Sequence, residues 1–295
     1  MKKYISFDIG GTMIKYGIIN EIGEIVENHE TPTEAGGGGP HILQKVRELI
    51  ELSGREYSLS GICIATAGMV DHINGKIIYA NESIPNYTGI EMKKILEAEF
   101  HIPCEVENDV SCAGLSEQLT GASKGSKVSL CLTIGTGIGG CIIIDNKIFH
   151  GAFHSAGEVG YMNMNGSNFQ KTASTSALVS KVASLKECDS KELNGIKIFE
   201  LAQTGDRICM DAIDELCDNL GYGIANICYV INPEVVVLGG GITKQKEYLY
   251  ERIRKSMDKY LIEEVGKKTK LVFAENGNQA GILGAFLNFK NNNLR

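Results

Sequence analysis

Several features that would mark a whole class of protein are missing from this sequence. Its 295 residues carry a formal net charge of −7, so they offer no excess of basic residues for nucleic acid or an anionic membrane surface. No apolar run reaches the length of a membrane span. The N-terminal MKKYISFDIGG has no apolar stretch behind its lysines, so we expect no signal peptide and a cytoplasmic protein. A nucleotide site is compatible with this acidity, because phosphate binding needs local N–H donors and not a positive net charge.

Metal-binding cysteine patterns are also missing, although the chain has nine cysteines. None of them forms a C-x-x-C or C-x-C pair, and most lie in apolar patterns such as ICIA and CLTI, where a thiol behaves as a small apolar group. A disulfide framework is therefore not expected in a cytoplasmic chain, and a zinc site has little support.

The chain contains two halves that begin alike. A strand, a glycine turn and a second strand are predicted over residues 4–19, and the same order returns from about residue 128. Strands with interleaved helices in both halves predict an α/β protein, and the repeat indicates duplication of one structural unit. We expect an N-terminal lobe over residues 1–120, with a C-terminal helix at 278–295 packing back on it. A larger lobe over 121–277 is expected on the other side of a central cleft.

Glycine is concentrated at residues 36–39, between a polar strand and Pro40. This run lacks a flanking Ser, Thr or Lys, so it predicts a flexible surface loop and not a phosphate loop. The apolar positions of residues 41–53 then recur at helical spacing and predict a helix. In the second half we predict further helices at 172–186, 196–204, 206–230, 245–260 and 278–289.

Two other glycine-rich turns each follow a strand and have the character of phosphate sites. The first is Asp8-Ile9-Gly10-Gly11-Thr12, where backbone N–H groups and the Thr12 hydroxyl can approach phosphate oxygens and Asp8 can orient a metal. The second is Gly135-Thr136-Gly137-Ile138-Gly139-Gly140, followed by a strand, which disfavours a Rossmann site; a Walker A loop is excluded because no G-K-[ST] follows. Either turn alone is compatible with an ordinary hairpin. Two such turns, at equivalent places in the two halves of the chain, favour binding of the two ends of a polyphosphate.

Acidic residues suited to proton transfer lie at Glu107-Asn108-Asp109, where a predicted strand gives way to a helix. The Asp109 carboxylate can accept the proton of a sugar hydroxyl that attacks a terminal phosphoryl group. The alternative is that these residues only cap the helix, because Asn and Asp are favoured at N-caps.

Two further segments complete the candidate site. Glu158 lies between glycines in GEVG, where a carboxylate suits recognition of adjacent sugar hydroxyls, although a solvated turn residue is the alternative. His154 is a less specific candidate, since an isolated loop histidine is more often incidental. Leu238-Gly239-Gly240-Gly241 follows the strand VVV, where a nucleoside could lie against exposed backbone.

Together these motifs resemble the ROK family of sugar kinases and sugar-responsive repressors, and the resemblance extends over nearly the whole chain. It rests on DIGGT (8–12), END (107–109), GTGIGG (135–140), GEVG (157–160), VVVLGGGI (235–242) and AGILGA (280–285). It implies the two-lobed actin/hexokinase-like fold of the ribonuclease H type. It also implies Mg²⁺-dependent phosphoryl transfer from ATP to the 6-hydroxyl of a hexose by a homodimer.

The resemblance also assigns roles to individual residues. Asp109 would be the catalytic base. The resemblance places Gly68, Asn108, Asp109 and Glu158 at the sugar, and we expect His154 and Tyr161 there as well. It places Gly10, Gly11, Thr12, Thr136 and Gly137 at the ATP phosphates and Gly240 near the nucleoside, and we add Asp8 from the first glycine turn.

Two departures from the family pattern concern zinc and sugar selectivity. The family's zinc site has a histidine after GE-x-G and a C-x-C-G-x-x-G-C segment; here Tyr161 takes the histidine position and residues 162–175 hold no cysteine. We therefore expect no zinc. A family glutamate that contacts the sugar is replaced by Gln170.

Within the family, the segments IPNYTG (84–89), EVGYM (158–162) and ASTSAL (173–178) are most similar to N-acetylmannosamine kinases. A β-glucoside kinase or glucokinase is the alternative. A sugar-sensing repressor is less expected, because it needs a helix-turn-helix ahead of the first strand and this strand begins near Tyr4. A non-catalytic sugar-binding protein also conflicts with Asp109 and the two glycine turns.

Overall fold

The structure is a computed structural model that describes residues 1–293. Its elements divide between two compact α/β units. The first unit comprises residues 1–117, 150–156 and the end of the chain from residue 278, and the second comprises residues 118–149 and 157–277.

Fourteen strands occur within the described residues, most of them in two five-stranded sheets. Their bounds are β1 Lys3–Ile9, β2 Met13–Asn20, β3 Ile25–Pro32, β4 Leu59–Thr66, β5 Met69–Asp71, β6 Lys76–Tyr79, β7 Cys104–Asn108, β8 Val128–Ile134, β9 Ile138–Ile144, β10 Lys147–Ile148, β11 Asn163–Met164, β12 Ser167–Asn168, β13 Val235–Gly239 and β14 Lys270–Phe273.

Ten α-helices occur in the same part of the chain, with short 3₁₀ turns between some of them. Their bounds are α1 Gly38–Gly54, α2 Met92–Phe100, α3 Asp109–Thr120, α4 Phe169–Ala173, α5 Thr175–Lys186, α6 Gly195–Gln203, α7 Arg207–Ile231, α8 Lys246–Tyr260, α9 Glu263–Gly266 and α10 Ala280–Asn293.

The first unit is organised around the sheet β3-β2-β1-β4-β7. β1, β2 and β3 pair antiparallel, whereas β1, β4 and β7 pair parallel, which requires the long crossover connections that contain α1 and α2. The α1 side chains Ile42, Val46 and Ile50 are buried at helical spacing, as the sequence predicts. On α10, Phe286 and Phe289 pack against Tyr4, with ring centroids 5.3 and 5.4 Å apart.

The second unit repeats this architecture in the sheet β10-β9-β8-β13-β14. Here too the first three strands pair antiparallel, and β8, β13 and β14 pair parallel. The two sheets thus have the same strand order and the same directions, and the expected duplicated α/β fold is confirmed. The long helix α7 contributes much of the core of this unit.

The predicted helix at 172–186 is instead two helices, α4 and α5, which meet at Ser174. The Ser174 hydroxyl accepts a hydrogen bond from the Ala177 N–H at 3.1 Å, so it caps a new helix start. Thr175 N–H donates to the Gly135 carbonyl at 2.9 Å, which fixes the start of α5 beside the β8–β9 turn.

The expectation of a flexible loop at residues 36–39 is wrong. Gly38 and Gly39 begin α1, and Gly39 N–H donates to the Pro85 carbonyl at 2.8 Å. A Cβ on Gly38 would lie 2.6 Å from the Pro85 oxygen, and one on Gly39 would lie 2.5 Å from the Asn86 oxygen. Two of the four glycines are therefore required by a close backbone approach, which composition alone does not reveal.

The segment 150–156 groups with the first unit, whereas the sequence places it in the lobe over 121–277. Side-chain contacts explain the difference. His150 Nε2 lies 2.7 Å from Glu107 Oε2 on β7, and His154 contacts His72 and Asp71, which also belong to the first unit.

Two further observations on the described residues concern membrane-spanning helices and the cysteines. Across residues 1–293, no helix is both long and apolar enough to cross a bilayer. Eight of the nine cysteines are buried, Cys188 being half-exposed, which agrees with their interpretation as small apolar core residues.

Candidate active site

The junction between β7 and α3 in the first unit holds Asn108 and Asp109. Asn108 Oδ1 accepts a hydrogen bond from Ser111 N–H at 3.0 Å, so Asn108 is the residue that caps the helix. Its Nδ2 donates to the Gly68 carbonyl at 2.9 Å and to Asp109 Oδ1 at 3.1 Å. Asp109 also accepts from Val110 N–H at 2.9 Å. Since the positive end of a helix dipole favours a negative charge, the start of α3 is a suitable position for the Asp109 carboxylate.

Gly68 joins this junction through its backbone. It lies in the turn between β4 and β5 with φ +99°, and a Cβ there would lie 2.7 Å from the Tyr79 carbonyl. Glycine is thus required at this position. The structure brings together three of the predicted sugar-binding residues: Gly68, Asn108 and Asp109.

A buried hydroxyl pair lies near this carboxylate and was missed by the sequence reasoning. Tyr87 is fully buried, and its hydroxyl lies 2.5 Å from Thr66 Oγ1 at the end of β4. Burial raises the pKa of the Tyr87 hydroxyl, Thr66 opposes this, and the neighbouring Asp109 charge adds to it. The phenol therefore stays neutral, and it fixes the IPNYTG segment beside Asp109. The one signal for Thr66 in the sequence is its position at the end of a predicted strand.

The first glycine turn connects β1 to β2 and matches its predicted position. Gly10 N–H donates to the Met13 carbonyl at 3.0 Å, and Gly11 and Thr12 are exposed. A Cβ on Gly11 would meet nothing within 4 Å, so the tip of the turn is open to a ligand.

Asp8 lies at the base of this turn, near the end of β1. Burial raises the pKa of its carboxyl, and Lys15, whose Nζ lies 3.7 Å away, opposes the rise. The carboxyl also lies against Gly281 of α10, where a side chain would collide with it. A cation supplied with a nucleotide would offset the burial of this carboxylate.

In the second unit the other glycine turn, between β8 and β9, lies at the edge of a pocket of 680 Å³. Gly135 and Thr136 line it together with side chains from α5 and α6 and the turn after β13. Its apolar part contains Val179, Leu193, Ile196, Phe199 and Ile242. Lys191 and Lys244 also line it, and none of the described Asp or Glu residues does. An apolar slot with a positive rim has the size and chemistry for a nucleotide.

Two predicted nucleotide residues shape this pocket through close packing. Gly240 has φ +84°, and a Cβ on it would lie 2.5 Å from the Ile134 oxygen; Gly241 and Ile242 then line the pocket. A Cβ on Gly137 would lie 2.6 Å from Gln170 Oε1, so Gln170 lies beside the glycine turn. The side chains from α5 and α6 were missed, because helix surface positions carry no motif.

Glu158 and Tyr161 belong to the second unit. Glu158 directly precedes a 3₁₀ turn at Val159–Tyr161, and Tyr161 is the last residue of this turn. The flanking glycines allow close packing on β9: a Cβ on Gly157 would lie 2.5 Å from the Gly140 oxygen. Burial raises the pKa of the Glu158 carboxyl, and Tyr161 is 46% exposed. Predicted sugar-binding residues therefore occur in both units, as do predicted ATP-binding residues.

Apart from the cation that Asp8 could hold, the geometry of the described residues indicates no metal site. Among residues 1–293, no three His, Cys, Asp or Glu side chains are grouped as a metal site would need. The expectation that zinc is absent stays a prediction.

These features can be compared with known proteins. The family model described as "ROK family" matches residues 4–292, nearly the full length. The chain belongs to the ROK family. An uncharacterized protein from Clostridium perfringens is 51% identical over 99% of both chains.

Relatives of this ROK protein with assigned activities are sugar kinases. A glucokinase from Halalkalibacterium halodurans is 30% identical, covering 95% of this chain and 93% of its own. An N-acetyl-D-glucosamine kinase from Vibrio atlanticus is also 30% identical, covering 97% of this chain and 100% of its own.

Solved structures agree with the fold. A protein from Listeria monocytogenes, proposed to be an N-acetylmannosamine kinase, superposes with a TM-score of 0.89 at 30% identity, covering 98% of this chain and 99% of its own. A ROK glucokinase from Streptomyces griseus, in complex with glucose and AMPPNP, gives a TM-score of 0.81 at 28% identity, covering 96% of this chain and 97% of its own. The fold is therefore that of ROK sugar kinases. The glucokinase and the N-acetyl-D-glucosamine kinase are both 30% identical to this chain, although their names give different sugars.

Proposed function

We propose that this chain is an ATP-dependent hexose kinase that phosphorylates the 6-hydroxyl of N-acetylmannosamine. The observation that carries the kinase proposal is the Asp109 carboxylate, which is held at the start of α3 and oriented by Asn108 and Gly68. A carboxylate that is fixed in this way at the start of a helix can act as a general base. The same proposal includes a cytoplasmic homodimer without zinc.

In the proposed reaction Asp109 accepts the proton of the sugar 6-hydroxyl as its oxygen attacks phosphorus. General-base assistance of this kind contributes about 10²–10⁴ in rate. Asn108, Gly68, His154, Glu158 and Tyr161 would position the sugar. Because orientation of the attacking hydroxyl is needed throughout the reaction, changes in these residues should affect kcat as well as KM.

Nucleotide binding is proposed at the two glycine turns and the pocket of the second unit. Gly10, Gly11 and Thr12 in one turn and Thr136 and Gly137 in the other would donate hydrogen bonds to phosphate oxygens. Asp8 would hold Mg²⁺, and Gly240 would lie near the nucleoside. Bound Mg²⁺–ATP would supply the phosphoryl group and neutralise its charge.

Two alternatives concern the sugar and one the activity itself. Glucose and β-glucosides are the alternative substrates, and the glucokinase relative at 30% identity supports the first of them. A sugar-sensing regulator without turnover is the remaining alternative.

The proposal is tested by ADP release with Mg²⁺–ATP and N-acetylmannosamine, N-acetylglucosamine, glucose or cellobiose. A kcat/KM for N-acetylmannosamine at least tenfold above the others is the expected result. Preference for another sugar would contradict the substrate but keep the kinase. Tight sugar binding without turnover would favour the regulator.

A further inference from the structure

Three of the six histidines of the chain, His72, His150 and His154, form a compact cluster in the first unit, and the proposed reaction assigns a role only to His154. The His72 and His150 rings stack, with centroids 3.5 Å apart and planes inclined by 11°. His72 Nδ1 lies 3.0 Å from His154 Nδ1. The stack joins β5 to the segment 150–156.

Each end of this cluster meets a carboxylate. At one end His150 Nε2 lies 2.7 Å from Glu107 Oε2, and Glu107 is 1% exposed. The other oxygen of Glu107 accepts from Asn108 N–H at 2.8 Å. At the other end His154 Nε2 lies 3.6 Å from Asp71 Oδ1.

The partners determine where the protons lie. Glu107 only accepts when ionised, so His150 must carry its proton on Nε2. The Asp71 carboxylate favours Nε2–H on His154, which leaves Nδ1 of His154 as an acceptor for Nδ1–H of His72. This bond needs an acceptor nitrogen, so it is lost when both His72 and His154 are imidazolium ions.

Four charged or titratable groups face His72: His150, Glu107, His154 and Asp71. Burial lowers the pKa of His72 from its ordinary value of 6.5 and His150 and His154 lower it further, while Glu107 and Asp71 oppose the change. Hydrogen bonds from Asn74 and Ile73 outweigh burial and lower the pKa of Asp71, which keeps it ionised. The arrangement in the structure is thus that of neutral His72.

We propose that His72, His150 and His154 act as positioning residues that hold the segment 150–156 in the first unit and fix Glu107 beside Asn108 and Asp109. Protonation of both His72 and His154 breaks the hydrogen bond between them, loosens the segment 150–156 and lowers turnover of the sugar. The effect on turnover rests on the proposed kinase function; the proton-dependent structure does not.

Kinetics of two variants at one position test the positioning role. At pH 7.5, His150→Ala should lower kcat/KM for the sugar by about 10- to 100-fold, because it displaces the end of β7, which Asp109 directly follows. His150→Gln supplies an amide N–H to Glu107 and should restore most of the loss. The KM for ATP should change less than twofold in both. Equal losses in the two variants, or no loss in His150→Ala, would overturn the positioning role.

The proton dependence is tested by the pH profile. Sugar kcat/KM of the native chain should fall steeply as the pH drops below the ordinary imidazole pKa of 6.5, because burial lowers the pKa of His72 from that value. His72→Phe keeps a ring to stack on His150 and cannot take up a proton, so its acid limb should be shallower and lie at lower pH. His29→Phe changes an exposed histidine and should keep the native limb. Identical limbs for His72→Phe and the native chain would overturn the proposal.

A readout without any substrate separates this inference from the kinase assignment. Imidazole ¹⁵N NMR of the native chain should show Nδ1–H for His72, Nε2–H for His150 and His154, and a His72 titration below the ordinary imidazole value of 6.5. A His72 that titrates at or above 6.5 would overturn the cluster. If no sugar is turned over, the kinase proposal fails while this spectrum still decides the cluster.

Discussion

Asp109 is the residue on which the proposed chemistry depends most directly. Asp109→Asn keeps the size of the side chain and removes its basicity, so turnover should fall by about 10²–10⁴ while sugar and ATP still bind. Steady-state ADP release together with calorimetric binding checks this. Asp211→Asn, at an exposed position near the start of α7, should remain fully active. Turnover of Asp109→Asn within about tenfold of the native rate would exclude general-base work by Asp109.

Glu158 is expected to lower stability at neutral pH. Burial raises the pKa of its carboxyl above the ordinary 4.5, so the folded state resists ionisation more than the unfolded state does. Its cost is therefore absent well below pH 4.5, grows as the pH rises towards the folded-state pKa, and is complete above it.

Glu158→Gln should therefore raise Tm at pH 7, by roughly 2–4 °C for each kcal/mol recovered, and the difference should vanish near pH 4. The same variant should weaken sugar binding if Glu158 holds sugar hydroxyls. Calorimetry at the two pH values and sugar titration check both parts. A variant that is less stable than the native chain at pH 7 would contradict the burial argument.

The start of α1 shows how an element can depend on glycine through its neighbour. Gly39→Ala places a methyl 2.5 Å from the Asn86 oxygen, so the segment that carries Tyr87 has to move. We expect a KM for sugar raised severalfold and a lower Tm. Gly36→Ala is the matched control, since a Cβ there meets nothing within 4 Å. If Gly39→Ala and Gly36→Ala have the same KM for sugar and the same Tm, the close approach of Gly39 to Asn86 does not contribute to function.

Most elements follow from periodicity, and the exceptions have identifiable causes. The apolar pattern predicts β1, β2, α1 and α7 within a few residues, because the two helices bury one face and the two strands are largely buried. It misses the break at Ser174, which depends on a single hydroxyl cap and a hydrogen bond to Gly135. It also misses the function of Gly38 and Gly39, because close backbone approach is a tertiary property.

The candidate site is predictable only where it lies in short motifs. Asn108 and Asp109 follow a strand directly, so the sequence identifies them, and the structure adds that Asn108 is the cap. His72 lies 78 positions before His150 in the chain, so no local pattern connects it to His150 and His154. The apolar wall of the pocket of 680 Å³ is likewise assembled from segments that are separate in the sequence.

The division of the whole chain into two units predicts how it unfolds. Each unit has its own sheet and apolar core, so heating should give two transitions instead of one. Phe286 and Phe169 are matched probes, both fully buried, the first on α10 of the first unit and the second on α4 of the second. Each Phe→Ala change should cost about 3–5 kcal/mol in its own unit.

Calorimetry of the two variants then assigns the transitions. Phe286→Ala should lower one transition and leave the other in place, and Phe169→Ala should do the reverse. A non-hydrolysable ATP analogue should raise the transition that Phe169→Ala lowers, because the pocket of 680 Å³ lies within the second unit. A single transition that both substitutions lower equally would mean that the duplicated units unfold together. The cooperative unit would then be the whole chain, although its architecture is repeated.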